Sequence, residues 1–294
     1  MNKDVIGDEP HWEDTARDTL HIINTFQSRM PPPIFCLGQS WGGTPVLITA
    51  LLHPRLFAGI VALEPFLATG GEHTHELGFA GLTAKMMARR RDRWPSRMAA
   101  RTAMLQNPYF AAFDKDVFEK VVEHDLKPTG NGDEVTLVTP KAMEVVTMMR
   151  LMKGESNKTW TDWSGAADQQ IGPGFYRAEP SDIALRLQDV RPPTLYVWAT
   201  NSPVGRQDYI DLLVNNTGSG RLGSGGKRKG CVELVWVKDS GHPMPLEKPK
   251  ETAEAMIPWI QKMARRWVSE RESEKGEFHV TKLNPVWIKS LEKL

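Results

Sequence analysis

The chain holds only two cysteines in 294 residues, too few for a disulfide framework. Cys36 and Cys231 both fall inside apolar runs and read as reduced, buried thiols of an intracellular protein. An excess of one charge is also lacking. Thirty-seven Lys and Arg stand against 36 Asp and Glu, a formal charge of +1. Phosphate backbones call for a surplus or a concentrated stripe of positive charge, so no nucleic-acid partner is implied. No stretch approaches the roughly eighteen consecutive apolar residues of a membrane span. The first thirty or so residues alternate charged with apolar positions, which is not the pattern of a signal peptide. No internal repeat occurs. What is present is the balance of a soluble globular chain, 40% apolar and 25% charged, with ten Trp and ten Phe to fill a core. The length predicts one large domain or two modest ones.

Apolar positions Trp12, Ala16, Leu20, Ile23, Phe26 and Met30 recur every three or four residues, one face of a helix that Pro31-Pro32-Pro33 stops. Ile34-Phe35-Cys36-Leu37 then reads as a strand buried on both faces, followed by a helix over about Gly42 to His53. Gly59 to Leu63 is a second buried strand, ending at Glu64-Pro65. Strand, helix and strand within about thirty residues form a parallel βαβ unit. Between Phe66 and Arg191 the pattern changes to Met- and Arg-rich helical stretches with Pro and Gly breaks, too long for a loop. Parallel-sheet character resumes at Thr194 to Ala199 and Val232 to Val237, and a last amphipathic helix follows Pro249. The expected division is residues 1–65 as the front of an α/β core, 66–191 as a helical insertion, 192–270 as the rest of the core, and 271–294 as a tail.

Gly38-Gln39-Ser40-Trp41-Gly42 is G-x-S-x-G between a buried strand and a helix, the two contexts that a nucleophile elbow requires. A serine on so sharp a turn has strained backbone, and Gly38 and Gly42 are expected to lack Cβ atoms that would collide with strand and helix. The helix N-terminus behind Ser40 offers unpaired N–H groups, and that of Trp41 would face a developing oxyanion.

A serine hydroxyl needs a base. Of eight histidines, His11, His21, His53, His124 and His279 lie on or beside expected helices or in the tail. His73 and His75, with Glu72 and Glu76 nearby, suggest a metal, but no third ligand has matching spacing. His242 lies in the loop after the last strand, where it can reach a sheet-top serine, and it satisfies the chain order serine, acid, histidine. For the acid, the loop Thr200 to Gly205 holds no carboxylate, and Asp208 belongs to the next helix. Glu64 closes an apolar strand at the carboxyl edge of the sheet, where ligand chemistry collects, and is the choice. Asp239, three residues from His242, is poorly placed to orient that ring. The expected triad is Ser40, His242 and Glu64, with no metal or organic cofactor.

The elbow and the Glu64-Pro65 pair form a set with Ala88-Arg89-Arg90-Arg91-Asp92-Arg93-Trp94-Pro95, the Gly/Ser-rich Thr217 to Gly230 loop, and His242 followed by Pro245-Leu246-Glu247-Lys248-Pro249. This set resembles the fungal α/β-hydrolases of secondary-metabolite and toxin clusters, the family of the mycophenolic acid acyl-CoA hydrolase and the AK-toxin hydrolases. The resemblance runs across nearly the whole chain. It implies an α/β-hydrolase fold with a helical cap, a serine nucleophile, the acid after the strand that follows the elbow helix (matching Glu64), and cleavage of a small-molecule ester or acyl-CoA thioester. It further implies a peroxisomal address, to which the terminal Glu292-Lys293-Leu294 conforms only in its last two residues. Arg89, Arg90 and Arg91 are read either as a solvated helix face or as contacts for CoA phosphates, and Met143, Met148, Met149 and Met152 as core packing by default or as an adaptable lining for an acyl chain. Nothing in the sequence conflicts with a homodimer.

In one respect the chain departs from that family. Its sheet normally has about eight strands, with the elbow after the fifth, yet only about thirty-three residues precede the elbow strand here. The expectation is that the N-terminal strands are missing, that Trp41 N–H serves as oxyanion donor alone, and that Ile34 to Leu37 forms an unprotected edge. Epoxide hydrolase and dehalogenase chemistry would call for an acidic residue at position 40. The alternative to a hydrolase is a non-catalytic protein of the same fold that binds a metabolite or partner through the insertion.

Overall fold

The computed structural model describes residues 11–68, 75–151, 170–172, 175–273 and 285–293. Helix α1 (Trp12–Thr25) begins with a reciprocal cap: the His11 side chain accepts from Glu13 N–H, and the Asp14 carboxylate accepts from His11 N–H at 3.0 Å. Strand β1 (Phe35–Gln39) leads through a 3₁₀ turn (Ser40–Gly42) into α2 (Gly43–Leu52), and β2 (Gly59–Leu63) follows. Helix α3 (Glu179–Arg186) lies inside the stretch expected as an insertion yet joins the main core through Ile183, and β3 (Thr194–Ala199), α4 (Gln207–Asn216), β4 (Val232–Val237) and α5 (Pro249–Ser273) follow.

The four strands form one parallel sheet in the order β1-β2-β3-β4, so this is the α/β-hydrolase architecture that the sequence predicts. Side-chain alternation sorts the interior into two layers. Ile60 and Ala62 of β2 and Tyr196 and Trp198 of β3 face α1 to α4. Val61, Leu63, Leu195, Val197 and Ala199 face Trp259 and Met263 of α5. Every residue of β2 and β3 is buried, as their unbroken apolar runs require.

Strand β1 is, among the described residues, the edge of the sheet, as the expected lack of preceding strands implies. It departs only from the expectation of burial on both faces, Leu37 being 46% exposed. An apolar run marks a strand that could be covered; only the presence of neighbours covers it.

The segment between β2 and α3 contains helices His75–Arg89, Arg97–Leu105, Lys115–His124 and Lys141–Met148. It also contains two small three-stranded antiparallel sheets, whose strands of two or three residues are too short to leave a periodic signal. Trp94, Phe113, Phe118, Val122 and Leu137 give it a core of its own, on which Leu246 packs from the main body. Its inner edge is fastened by a buried charge cluster. Fully buried Arg177 meets Glu179 at 3.0 Å, donates to the carbonyls of Val146 and Thr147, and lies 5.5 Å over the Trp12 ring. Trp12 in turn donates its backbone N–H to Glu179 and its indole N–H to Thr147.

Candidate active site

The register of β1 on β2 pairs Phe35 with Gly59 and Gln39 with Leu63. Ser40 and Glu64 are therefore the next residues off two neighbouring strands, at the same level of the sheet's carboxyl edge. Both have left-handed backbone, φ 54° at Ser40 and φ 42° at Glu64, a conformation that costs non-glycine residues of order 1–3 kcal/mol. The two turns hold one another, since Phe66 N–H donates to Ser40 C=O at 3.0 Å.

Two glycines admit the elbow. A Cβ on Gly38 would lie 2.2 Å from the Gly42 carbonyl oxygen, and one on Gly43 would lie 2.7 Å from Pro65 Cβ. Gly42, by contrast, has open space around it and ordinary helical backbone, so the expected crowding falls on Gly43 instead.

His242 arrives from the loop after β4. Its Nε2 lies 2.8 Å from Ser40 Oγ and its Nδ1 lies 2.5 Å from Glu64 Oε2. The Glu64 side chain is fully buried, its Oε1 accepting from Ala199 N–H at 2.8 Å and its Oε2 from Ser202 Oγ–H at 2.7 Å. That satisfies both oxygens, the condition for keeping a carboxylate out of water. The His242 loop is pinned on both sides. Glu247 accepts from Gly241 N–H at 2.6 Å and from Ser240 Oγ, and Gln39 Nε2 donates to His242 C=O at 2.9 Å. Ser202 and Gln39 carried no local sequence signal, because each acts on a residue distant in the chain; Glu247 acts only six and seven residues back, across a loop whose course sequence does not give.

The remaining sequence-predicted residues sort as follows. Trp41 is the second residue of the Ser40–Gly42 turn, whose leading N–H groups have no intrahelical partner, and its ring meets Trp12 edge-on at 6.0 Å. Asp239 is exposed and Asp208 pairs with Arg206 at 2.6 Å, while His242 Nδ1 is taken by Glu64. Arg90 pairs with Glu144 at 2.6 Å, Arg91 lies over the Trp94 ring, and Arg89 is exposed. Met148 and Met149 pack with Ala68 and Phe66 beside the elbow, whereas Met152 lies outside the described residues. Glu72, His73 and Leu294 also lie outside them. No group of three metal-ligating side chains occurs among the described residues. Burial pushes the Cys36 thiol up to about 11, against a weaker opposing hydrogen bond with Leu37, so it is no nucleophile at neutral pH.

The sequence model of the alpha/beta hydrolase family matches residues 6–255. The chain belongs to that family. It is 30% identical to the type I acyl-CoA thioesterase mpaH' of Penicillium brevicompactum, over 99% of this chain and 73% of that protein. It is 27% identical to the abhydrolase domain-containing protein AKT2 of Alternaria alternata, over 79% of this chain and 85% of that one. Among solved structures, the peroxisomal α/β-hydrolase Lpx1 of Saccharomyces cerevisiae superposes with a TM-score of 0.63, covering 98% of this chain and 68% of that one at 13% identity. E-2-(acetamidomethylene)succinate hydrolase gives 0.59, covering 88% and 76% at 17% identity. These structural likenesses establish the fold. No helix among the described residues is long and apolar enough to cross a membrane.

Proposed function

We propose that this chain is a serine hydrolase that cleaves an ester or acyl-CoA thioester in secondary-metabolite biosynthesis. The observation that carries the reading is the unbroken hydrogen-bonded line from Ser40 Oγ through the His242 imidazole to buried Glu64. A serine beside an imidazole whose far nitrogen is held by a carboxylate is a nucleophile with a base of fixed tautomer. The thioester half of the proposal draws on the Penicillium thioesterases, to which the chain is similar over almost its full length.

In the proposed reaction Ser40 Oγ attacks the acyl carbonyl while His242 Nε2 takes the hydroxyl proton. Negative charge collects on the carbonyl oxygen, for which Trp41 N–H is the proposed donor; a donor of this kind is worth about 10² to 10³ in rate. Collapse expels the alkoxide or CoA thiolate, which receives the proton from His242. Water, deprotonated by His242, then attacks the acyl-serine, releases the carboxylic acid and restores Ser40. Glu64 keeps Nδ1–H in place throughout and stabilises the imidazolium. Arg89, Arg90 and Arg91 are the proposed phosphate contacts, with Arg90 reaching them only by leaving Glu144. Met148 and Met149, beside Phe66, are the proposed wall for the acyl group.

The test is labelling of the purified chain with a fluorophosphonate probe, read by intact mass and peptide mapping, followed by an acyl-CoA panel with thiol detection. Modification confined to Ser40 and absent from Ser40→Ala supports the reading. A folded chain left unlabelled overturns it in favour of a metabolite-binding protein of the same fold.

A further inference from the structure

We propose that Ser202 is a positioning residue of this site, its hydroxyl holding the Glu64 carboxylate in the plane in which Oε2 meets His242 Nδ1. The inference rests on the serine-hydrolase reading and extends it to a residue that does not touch the reacting atoms.

Glu64 is an acid with one more rotatable bond than aspartate, on a residue whose backbone is already left-handed. A long side chain of this kind loses considerable rotamer entropy when fixed, so its orientation depends on what holds it. Two donors besides His242 do so. Ala199 N–H fixes Oε1 from the end of β3, and Ser202 Oγ fixes Oε2, the same oxygen that receives the imidazole at 2.5 Å. The backbone donor alone leaves the carboxylate free to pivot about Oε1; the second donor stops that rotation.

The direction of the serine proton follows from its neighbours. Val204 N–H lies 3.4 Å from Ser202 Oγ and donates to it, so the one hydroxyl proton is left for the carboxylate, which has none to give when ionised. Ser202 is itself set by a turn, with Ser202 N–H donating to Ala199 C=O and Gly205 N–H to Ser202 C=O, both at 3.3 Å. Residue 202 thus joins the end of β3 to the acid at the end of β2 across 138 residues of sequence.

Threonine and valine have nearly the same shape and differ in the hydroxyl, so the pair isolates it. We expect Ser202→Val to slow fluorophosphonate labelling of Ser40, and kcat on p-nitrophenyl butyrate, by about 10- to 100-fold with KM little changed. Ser202→Thr should stay within about threefold of wild type. Ser202→Ala replaces the valine variant if circular dichroism shows that valine does not fold. Wild-type labelling rates in the valine or alanine variant overturn the inference. So does equal slowing by threonine and valine, which would assign the effect to shape. An unlabelled wild-type Ser40 in the same experiment removes the hydrolase reading itself, and this inference with it.

Discussion

Ser40 and Glu64 leave adjacent parallel strands at the same rung, and both do so through a left-handed turn. Asp239, shortly after the end of β4, has the same backbone sign, φ 53°. Strain in non-glycine residues is thus gathered along one edge of the sheet, where the side chains of Ser40, Glu64 and His242 converge. The 24-residue spacing of serine and glutamate is the register offset of β1 on β2, so helix α2 and its loops set the distance between nucleophile and acid.

Glu64→Gln is expected to lower kcat by about 10³ to 10⁴, because the amide neither stabilises an imidazolium nor holds the productive tautomer. Steady-state kinetics on p-nitrophenyl butyrate would check this, and a rate within tenfold of wild type would remove Glu64 from the proposed triad.

The glycines of the elbow should respond unequally. Gly38→Ala drives a methyl into the Gly42 carbonyl and Val46, and a loss of about 2 kcal/mol or more in urea unfolding is expected. Gly42→Ala meets open space, and its effect should be within about 0.5 kcal/mol. Equal destabilisation by the two would contradict the turn geometry.

Acid should loosen the fastening of the insertion. Burial alone would raise the Glu179 carboxyl, but Arg177, His11 and Arg150 outweigh it and hold the group below the usual glutamate range. A lowered folded-state value gives stability that is present above the unfolded value, about 4.3, and is lost as pH falls through the folded one. Glu179→Gln should therefore reduce stability by about 3 kcal/mol near neutrality, because the carboxylate that meets buried Arg177 at 3.0 Å is lost. The difference from wild type should shrink below about pH 4 in thermal melts across that range. A gap that persists unchanged at low pH would argue against the ion pair.

Leu37 on the open strand should govern association. Leu37→Lys places a charge on an exposed edge position and is expected to reduce light scattering on concentration, with little change in Tm. A large fall in Tm would mean that Leu37 packs against something else in the folded protein.

Much of the scaffold could be read along the chain. Apolar runs locate β2, β3 and β4 to within a residue, and G-x-S-x-G between strand and helix identifies Ser40, because these signals lie within a few neighbouring residues. His242 follows from the loop after the last strand and from chain order. Other features depend on what stands alongside. The same kind of run that makes β2 fully buried leaves β1 half exposed, and Gly43 rather than Gly42 is crowded because Pro65 folds back on it. The Ser202 contact with Glu64, across 138 residues, is likewise invisible in sequence. The local pattern thus determined which segments are strands and which serine sits on the turn, since backbone propensity and hydrophobic periodicity act over short range. The pairing of Glu64 with His242 follows from strand ends and chain order. Tertiary structure alone decided that Glu64 also meets a serine 138 residues away and that Gln39 meets the His242 carbonyl 203 residues away. Those contacts are set by strand order and register, which only the packed sheet supplies.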